Sequence, residues 1–147
     1  MNLLMVLFAK DIVEKDFLSL PRGTTTFEAA KQMKLKRHGF VVVAAAEGKP
    51  EGIVTEWDYL SKLVAEGIDP SKVTLGDIMS PNLVTVKASE GLDYVAQLMA
   101  EKGIRRVLVL QDGRVLGTIT SRTMLARMND YINRVSIQIA RFQGPRV

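Results

Sequence analysis

The sequence contains no cysteine and one histidine in 147 residues. Lacking cysteine, the chain can form neither disulfides nor thiolate metal sites. The single His38 cannot build an imidazole metal cluster, nor complete a serine–histidine relay with a spare base. Long hydrophobic runs are also missing. The most apolar stretch, Met1 to Phe8 (MNLLMVLF), is followed at once by Lys10 and Asp11. A membrane span needs roughly 20 apolar residues, and a signal peptide needs a basic front and a cleavage site. The stretch is expected to be a buried N-terminal strand or short helix, and the protein is expected to be cytoplasmic with no membrane contact. The five prolines and 11 glycines are dispersed, leaving no low-complexity tract.

What remains is an ordinary globular composition, 47% hydrophobic and 24% charged. The length fits one domain, or two small units sharing a core. The net charge of +4 mildly favours anionic partners such as nucleotides, nucleic acid or acidic proteins, but it also fits a surface charged for solubility.

The chain repeats itself. Asp11-Ile12 returns 66 positions later as Asp77-Ile78. At the same spacing Ala30 meets Ala96, Met33 meets Met99, and Val41 and Val43 meet Val107 and Val109. Past the next turn the spacing is 65, where Gly52, Thr55 and Leu60 meet Gly117, Thr120 and Leu125. Turns are where a one-residue change is cheapest. Each half opens on an apolar-alternating segment, Phe17–Leu20 or Leu83–Val86. Capping residues follow, Thr24–Thr26 or Ser89–Glu90, and then apolar residues at helical spacing: Phe27, Ala30 and Met33, or Leu92, Val95, Ala96 and Met99. Dense β-branched runs, Phe40–Val43 and Val107–Leu110, lead into turns at Glu47–Pro50 and Gln111–Arg114. Strands return at Gly52–Thr55 and Gly117–Thr120. Helices are predicted over Trp57–Ala65 and from Thr123 to about Asn133.

The order in each half is therefore β-α-β-β-α. One half has too few strands to cover both faces of its sheet, so the two halves are expected to pack sheet to sheet about a pseudo-twofold, with helices outside. The expected limits are 1–66 for the first repeat, 67–72 for a linker (GIDPS at its head), 73–130 for the second repeat, and 131–147 for a helical extension and tail.

The pattern resembles the CBS domain, the module named from cystathionine β-synthase. Asp77-Ile78-Met79-Ser80-Pro81 with Leu83-Val84-Thr85-Val86 is the most specific piece. Gly103–Val109 and Gly113–Thr120 add to it, and the resemblance spans nearly all of residues 9–130. It implies a non-catalytic regulatory module that binds an adenine nucleotide between repeats: AMP first, then ADP or ATP, with S-adenosylmethionine as the alternative. It also implies a homodimer and a regulated protein partner on another chain. A scaffold that only dimerises is the rival reading. No nucleophile with its base and no metal cage argues for an enzyme, and no reading helix or RNA motif argues for nucleic acid.

The family's nucleotide motif is a glycine, two apolar residues, Thr or Ser, two more residues, then Asp. The first repeat matches throughout, Gly52-Ile53-Val54-Thr55-Glu56-Trp57-Asp58. Thr55 sits where a strand ends and a helix begins, so its hydroxyl can cap the helix or donate to a phosphate. Asp58, one turn on, can accept from both ribose hydroxyls. The structural alternative is a variant of the helix capping box, Thr with Asp three residues later. The resemblance places Met79, Ser80, Pro81 and Thr85 at the adenine edge, Ile104 and Val107 about the ring, and Arg105 and Arg106 at the phosphate, with Glu56 and Trp57 beside them. In the second repeat Thr123 replaces the acid. The mate cleft would join Thr120 and Thr123 to His38, Gly39 and Phe40, and is expected to be weaker.

Overall fold

The structure is a computed structural model that describes residues 7–143. The predicted element at Met1–Phe8 falls mostly outside them. Of that stretch only Leu7 and Phe8 are seen, Leu7 packed half-buried against a core and Phe8 bridged to Gly91.

After a short turn α1 (Ala9–Ile12), the first half runs β1 (Ser19–Leu20), α2 (Thr26–Lys36), β2 (Phe40–Ala44) and β3 (Pro50–Thr55). A single turn α3 (Glu56–Asp58) then opens into a π-helical segment, Tyr59–Val64, where Ala65 N reaches back to Leu60 O. The second half repeats the order: α4 (Leu75–Ile78), β4 (Thr85–Lys87), α5 (Leu92–Lys102), β5 (Arg106–Gln111), β6 (Arg114–Thr120) and α6 (Ser121–Gln143). Each half holds a three-stranded sheet, β1-β2-β3 or β4-β5-β6, with a parallel first pair and an antiparallel second pair. The parallel pairing follows from chain path, because a helix links the two strands. The β5–β6 turn is tight, with Asp112 and Gly113 both at positive φ, as a two-residue hairpin requires.

β2 is buried along its whole length, which explains its unbroken run of apolar residues. Val41 and Val43 face the core under α2 with Ala29, Met33 and Leu63. Phe40, Val42 and Ala44 face the other way and meet Leu108 of β5, so the two sheets pack against each other. The buried face of α2 is Thr26, Ala29 and Met33. This corrects the expected Phe27 and Ala30. Phe27 is 48% exposed, and Thr26 points inward in its stead, with its hydroxyl donating to Pro70 O (2.7 Å). The caps differ too. Thr25 caps α2 through Glu28 N, whereas Gly91 holds the cap position of α5 and Glu90 instead accepts from Lys87 N. α6 begins at Ser121 and continues unbroken to Gln143, so the last helix of the repeat and the extension expected from 131 are one helix.

The opening segment of each half belongs to the core of the other. Ala9 and Ile12 are buried among Val95, Val107 and Ile119, while Leu75 and Ile78 are buried among Leu18, Val41 and Val54. Four bridges clasp the exchange: Glu14 to Thr118, Ser80 to Ile53, Phe8 to Gly91 and Thr74 to Thr25. Asp11 and Asp77, the repeat's clearest match, close these turns by accepting from Phe8 N and Thr74 N. The same backbone hydrogen bond from Thr74, above all, holds the Asp77 carboxyl below its ordinary range.

Candidate functional site

The clasps set the site. β3 ends beside the second half's opening segment, because Ile53 and Ser80 exchange both backbone hydrogen bonds (3.0 and 2.9 Å). Gly52 makes this approach possible: the Met79 side chain lies where its Cβ would be. At the end of β3, Glu56 N donates to Gly39 O (3.1 Å), tying the turn to the start of β2. The mate contact is Ser121 N to Arg105 O (2.9 Å).

An open cavity of about 550 Å3 lies between the halves. Ile53 and Thr55 line it from the first half. Asn82, Leu83 and Val84, the run from Ile104 to Leu108, and Thr120, Ser121 and Arg122 line it from the second. Of the residues expected in the nucleotide cleft, the cavity gathers Thr55, Ile104, Arg105, Arg106 and Val107. Met79, Ser80, Pro81 and Thr85 do not line it, although Pro81 and Thr85 flank the lining run Asn82–Val84 in sequence. Trp57 is 67% exposed on the outer side of the turn. Val107 is buried and Ile104 half-buried, so the wall offers an apolar flank beside its guanidinium groups.

Asp58 does not line the cavity. It is buried, and both carboxylate oxygens are engaged. Oδ2 accepts from Thr55 N (2.8 Å) and from the Thr55 hydroxyl (3.3 Å), while Oδ1 pairs with Lys62 Nζ (3.0 Å). Lys62 also donates to Ile78 O (2.7 Å), so this one ammonium joins Asp58 to the opening turn of the second half.

Arg106 carries the site's electrostatics. Its guanidinium stacks 4.0 Å over the Phe40 ring, a cation–π contact that spans the two halves. Its Nε is buried without an acceptor. Burial, and then the neighbouring charge of Arg105, push its pKa down, and Glu56 acts weakly against them.

The residues expected in the mate cleft are dispersed. Phe40 lies under Arg106, and Thr120 lines the cavity described above. His38 Nε2 lies 3.4 Å from Asp16, with little of its ring exposed. Gly39 is covered by the Glu56 side chain, which lies where a Cβ would be. Thr123 shares a hydroxyl hydrogen bond with Thr120 (2.9 Å) and borders a shallow hollow with Glu14, Arg122 and Arg127. Arg122 was not singled out from the sequence. Its signal was available: it follows the strand-ending Thr120 at the position Trp57 holds after Thr55.

The pattern that defines the CBS domain matches at residues 9–65 and again at 75–130. The chain is a tandem pair of CBS domains. An uncharacterised protein of Methanopyrus kandleri is 29% identical over 90% of this chain and 68% of its own length. The hexameric CBS-CP12 protein from bloom-forming cyanobacteria is 34% identical, with a TM-score of 0.73 over 82% of this chain and 67% of that one. The CBS domain pair of protein MJ0100, solved with 5′-methylthioadenosine and S-adenosyl-L-methionine, is 29% identical, with a TM-score of 0.73 over 86% of this chain and 98% of that one. CBS pairs also occur inside longer proteins: this chain spans 26% of a homoserine O-acetyltransferase of Methanohalobium evestigatum to which it is 30% identical. Among the described residues no helix is long and apolar enough to cross a membrane, and no three acidic or histidine side chains gather as a metal site.

Proposed function

We propose that this CBS pair is a non-catalytic regulatory module that binds an adenine nucleotide in the cleft between Thr55 and Arg106. The observation that carries the reading is Arg106, whose Nε is buried without an acceptor at the wall of a cavity that also holds the strand-ending Thr55 of the other half. A buried donor left unpaired is costly, and a phosphate oxygen is the acceptor that best fits a guanidinium fork. Ile104 and Val107 supply the apolar flank for a base. The related pair of MJ0100 holds adenine-based ligands, which supports the same class here. A sulfonium would face Arg105 and Arg106 as like charges, so a nucleotide fits better than S-adenosylmethionine. Asp58 would take the ribose after exchanging its bond to Lys62.

Calorimetric titration of the protein with AMP, ADP, ATP and S-adenosylmethionine tests this. A nucleotide is expected to bind, and Arg106→Gln is expected to weaken it about tenfold, the worth of one charge-assisted hydrogen bond. Binding of none of the four sinks the reading.

A second reading adds to this one. Trp57, Leu60 and Val64 on the first outer helix, and Leu125, Met128 and Ile132 on the second, are all exposed. The stripe occurs twice, once per repeat, so one twofold-related copy of this chain can cover both. A homodimer by light scattering is expected. A monomer, or loss of dimer only on removing nucleotide, would count against it.

A further inference from the structure

We infer that the cleft is built for a polyphosphate chain, so that it takes a nucleoside di- or triphosphate in preference to a monophosphate, with Arg122 as the residue that selects it. The inference rests on the nucleotide reading and adds to it a subsite beyond the first phosphate.

Three arginines line one cavity: Arg105 and Arg106 at the head of β5, and Arg122 on the first turn of α6. Among the described residues, no carboxylate lies within ion-pair distance of any of them, although the other ion pairs of the protein are formed at 2.7 to 3.4 Å. Of the acids nearby, Glu56 is folded over Gly39, while Glu14 and Asp130 border the outer hollow that Arg122 also lines, without an ion pair to it. Three like charges gathered about a half-enclosed space repel, and a polyanion that bridges them relieves that repulsion. A monophosphate offers one compact group of oxygens, which Arg106 and Arg105 can satisfy by themselves. A di- or triphosphate adds further anionic groups along a chain, and Arg122 stands on a different element from the other two, where such a chain can reach it. The hydroxyls of Thr120 and Ser121 line the wall beside it. Arg122 is exposed and carries no packing duty in the core, so its place at the cavity is not explained by the fold. The equivalent residue of the first repeat is Trp57, which carries no charge, so the subsite belongs to one cleft only.

The test titrates the full chain with adenosine, AMP, ADP, ATP and tripolyphosphate, and repeats the series with Arg122→Gln and Arg122→Lys. ADP and ATP are expected to bind about tenfold or more tightly than AMP, and tripolyphosphate to bind without any base. Arg122→Gln is expected to remove most of that preference and to weaken AMP far less. Arg122→Lys should keep part of it, because it retains the charge without the fork. Equal affinity for AMP and ADP, or an equal loss for all three nucleotides in Arg122→Gln, overturns the inference. The two layers fail separately. If tripolyphosphate binds in an Arg122-dependent way while ATP gains nothing over it and adenosine and AMP do not bind, the nucleotide reading falls and the phosphate subsite stands. If AMP binds but tripolyphosphate does not, the subsite falls and the nucleotide reading stands.

Discussion

The turns that end β3 and β6 occupy equivalent places and are held by different chemistry. In the first half Asp58 accepts from Thr55 N, and Lys62 neutralises it while reaching across to Ile78 O. In the second half the direction reverses: Thr123 N donates to Thr120 Oγ1, and the two hydroxyls pair. The charge pattern reverses with it. The acidic turn, with Glu56 and Asp58, is tied to Gly39 O through Glu56 N, with the Glu56 side chain over Gly39 and Asp58 paired with Lys62. The acid-free turn, with Ser121 and Arg122, is tied to Arg105 O through Ser121 N and lines the cavity beside Arg105 and Arg106. A near-symmetric backbone therefore carries its arginines, Arg105, Arg106 and Arg122, about one cavity. The helices that follow differ as well. The first winds through π turns and half-buries Tyr59, whose hydroxyl donates to Thr26 O (2.6 Å), whereas the second is a long regular α-helix with Met124 at that place.

The largest expected effect separates the two clasp glycines. A Cβ on Gly117 would stand 2.2 Å from the backbone oxygen of Glu14, whereas one on Gly52 would meet the Met79 side chain, which can move. Gly117→Ala is expected to cost about 3 kcal/mol in urea unfolding, and Gly52→Ala about 1 kcal/mol. Equal costs would mean that the two clasps are equivalent. A smaller effect is expected from Thr123→Asp. An acid in the first turn of α6 should add about 0.5 kcal/mol through the helix dipole. Nucleotide stoichiometry should stay unchanged, because the residues expected in the mate cleft are dispersed: His38 lies by Asp16 and Gly39 is covered by Glu56. A second bound nucleotide would break the comparison, since the acid alone would then make a site. The smallest effect concerns alkaline pH. Burial raises the Tyr59 pKa from 10.0 to about 12. The folded state thus favours the neutral phenol. That stability is present in full below pH 10 and is lost as pH rises towards 12. Tyr59→Phe should flatten this alkaline decline, as followed by chemical denaturation across the range, and an unchanged decline would remove Tyr59 as its source.

Much of this was legible before any coordinates. The repeat spacing of 66 and 65 is reproduced pair by pair, down to Ser19 opposite Val42 and Thr85 opposite Leu108 in the parallel ladders. The β-branched runs became the central strands because their residues must fill two cores at once. Phe27 misled because helical spacing alone cannot choose between neighbouring faces, and the choice fell to the Thr26 hydroxyl and its acceptor on the linker. Within the site, Thr55 with Ile104–Val107 could be named from the motif. Arg122 was missed although its place two residues after Thr120 was legible, because the motif leaves that position open and the cavity forms only when one half packs on the other.

The sequence alone determined the duplicated β-α-β-β-α plan, since periodic burial and turn chemistry are local properties written into consecutive residues. It also determined that the first repeat alone carries the acid. Tertiary structure decided the rest. The crossing of the opening segments makes Gly117 a point of backbone contact, a role that no local pattern encodes. The pairing of Asp58 with Lys62 draws that carboxylate away from the cavity wall. The convergence of Arg105, Arg106 and Arg122 depends on distances between elements far apart in the chain, and such distances exist only once both halves have packed.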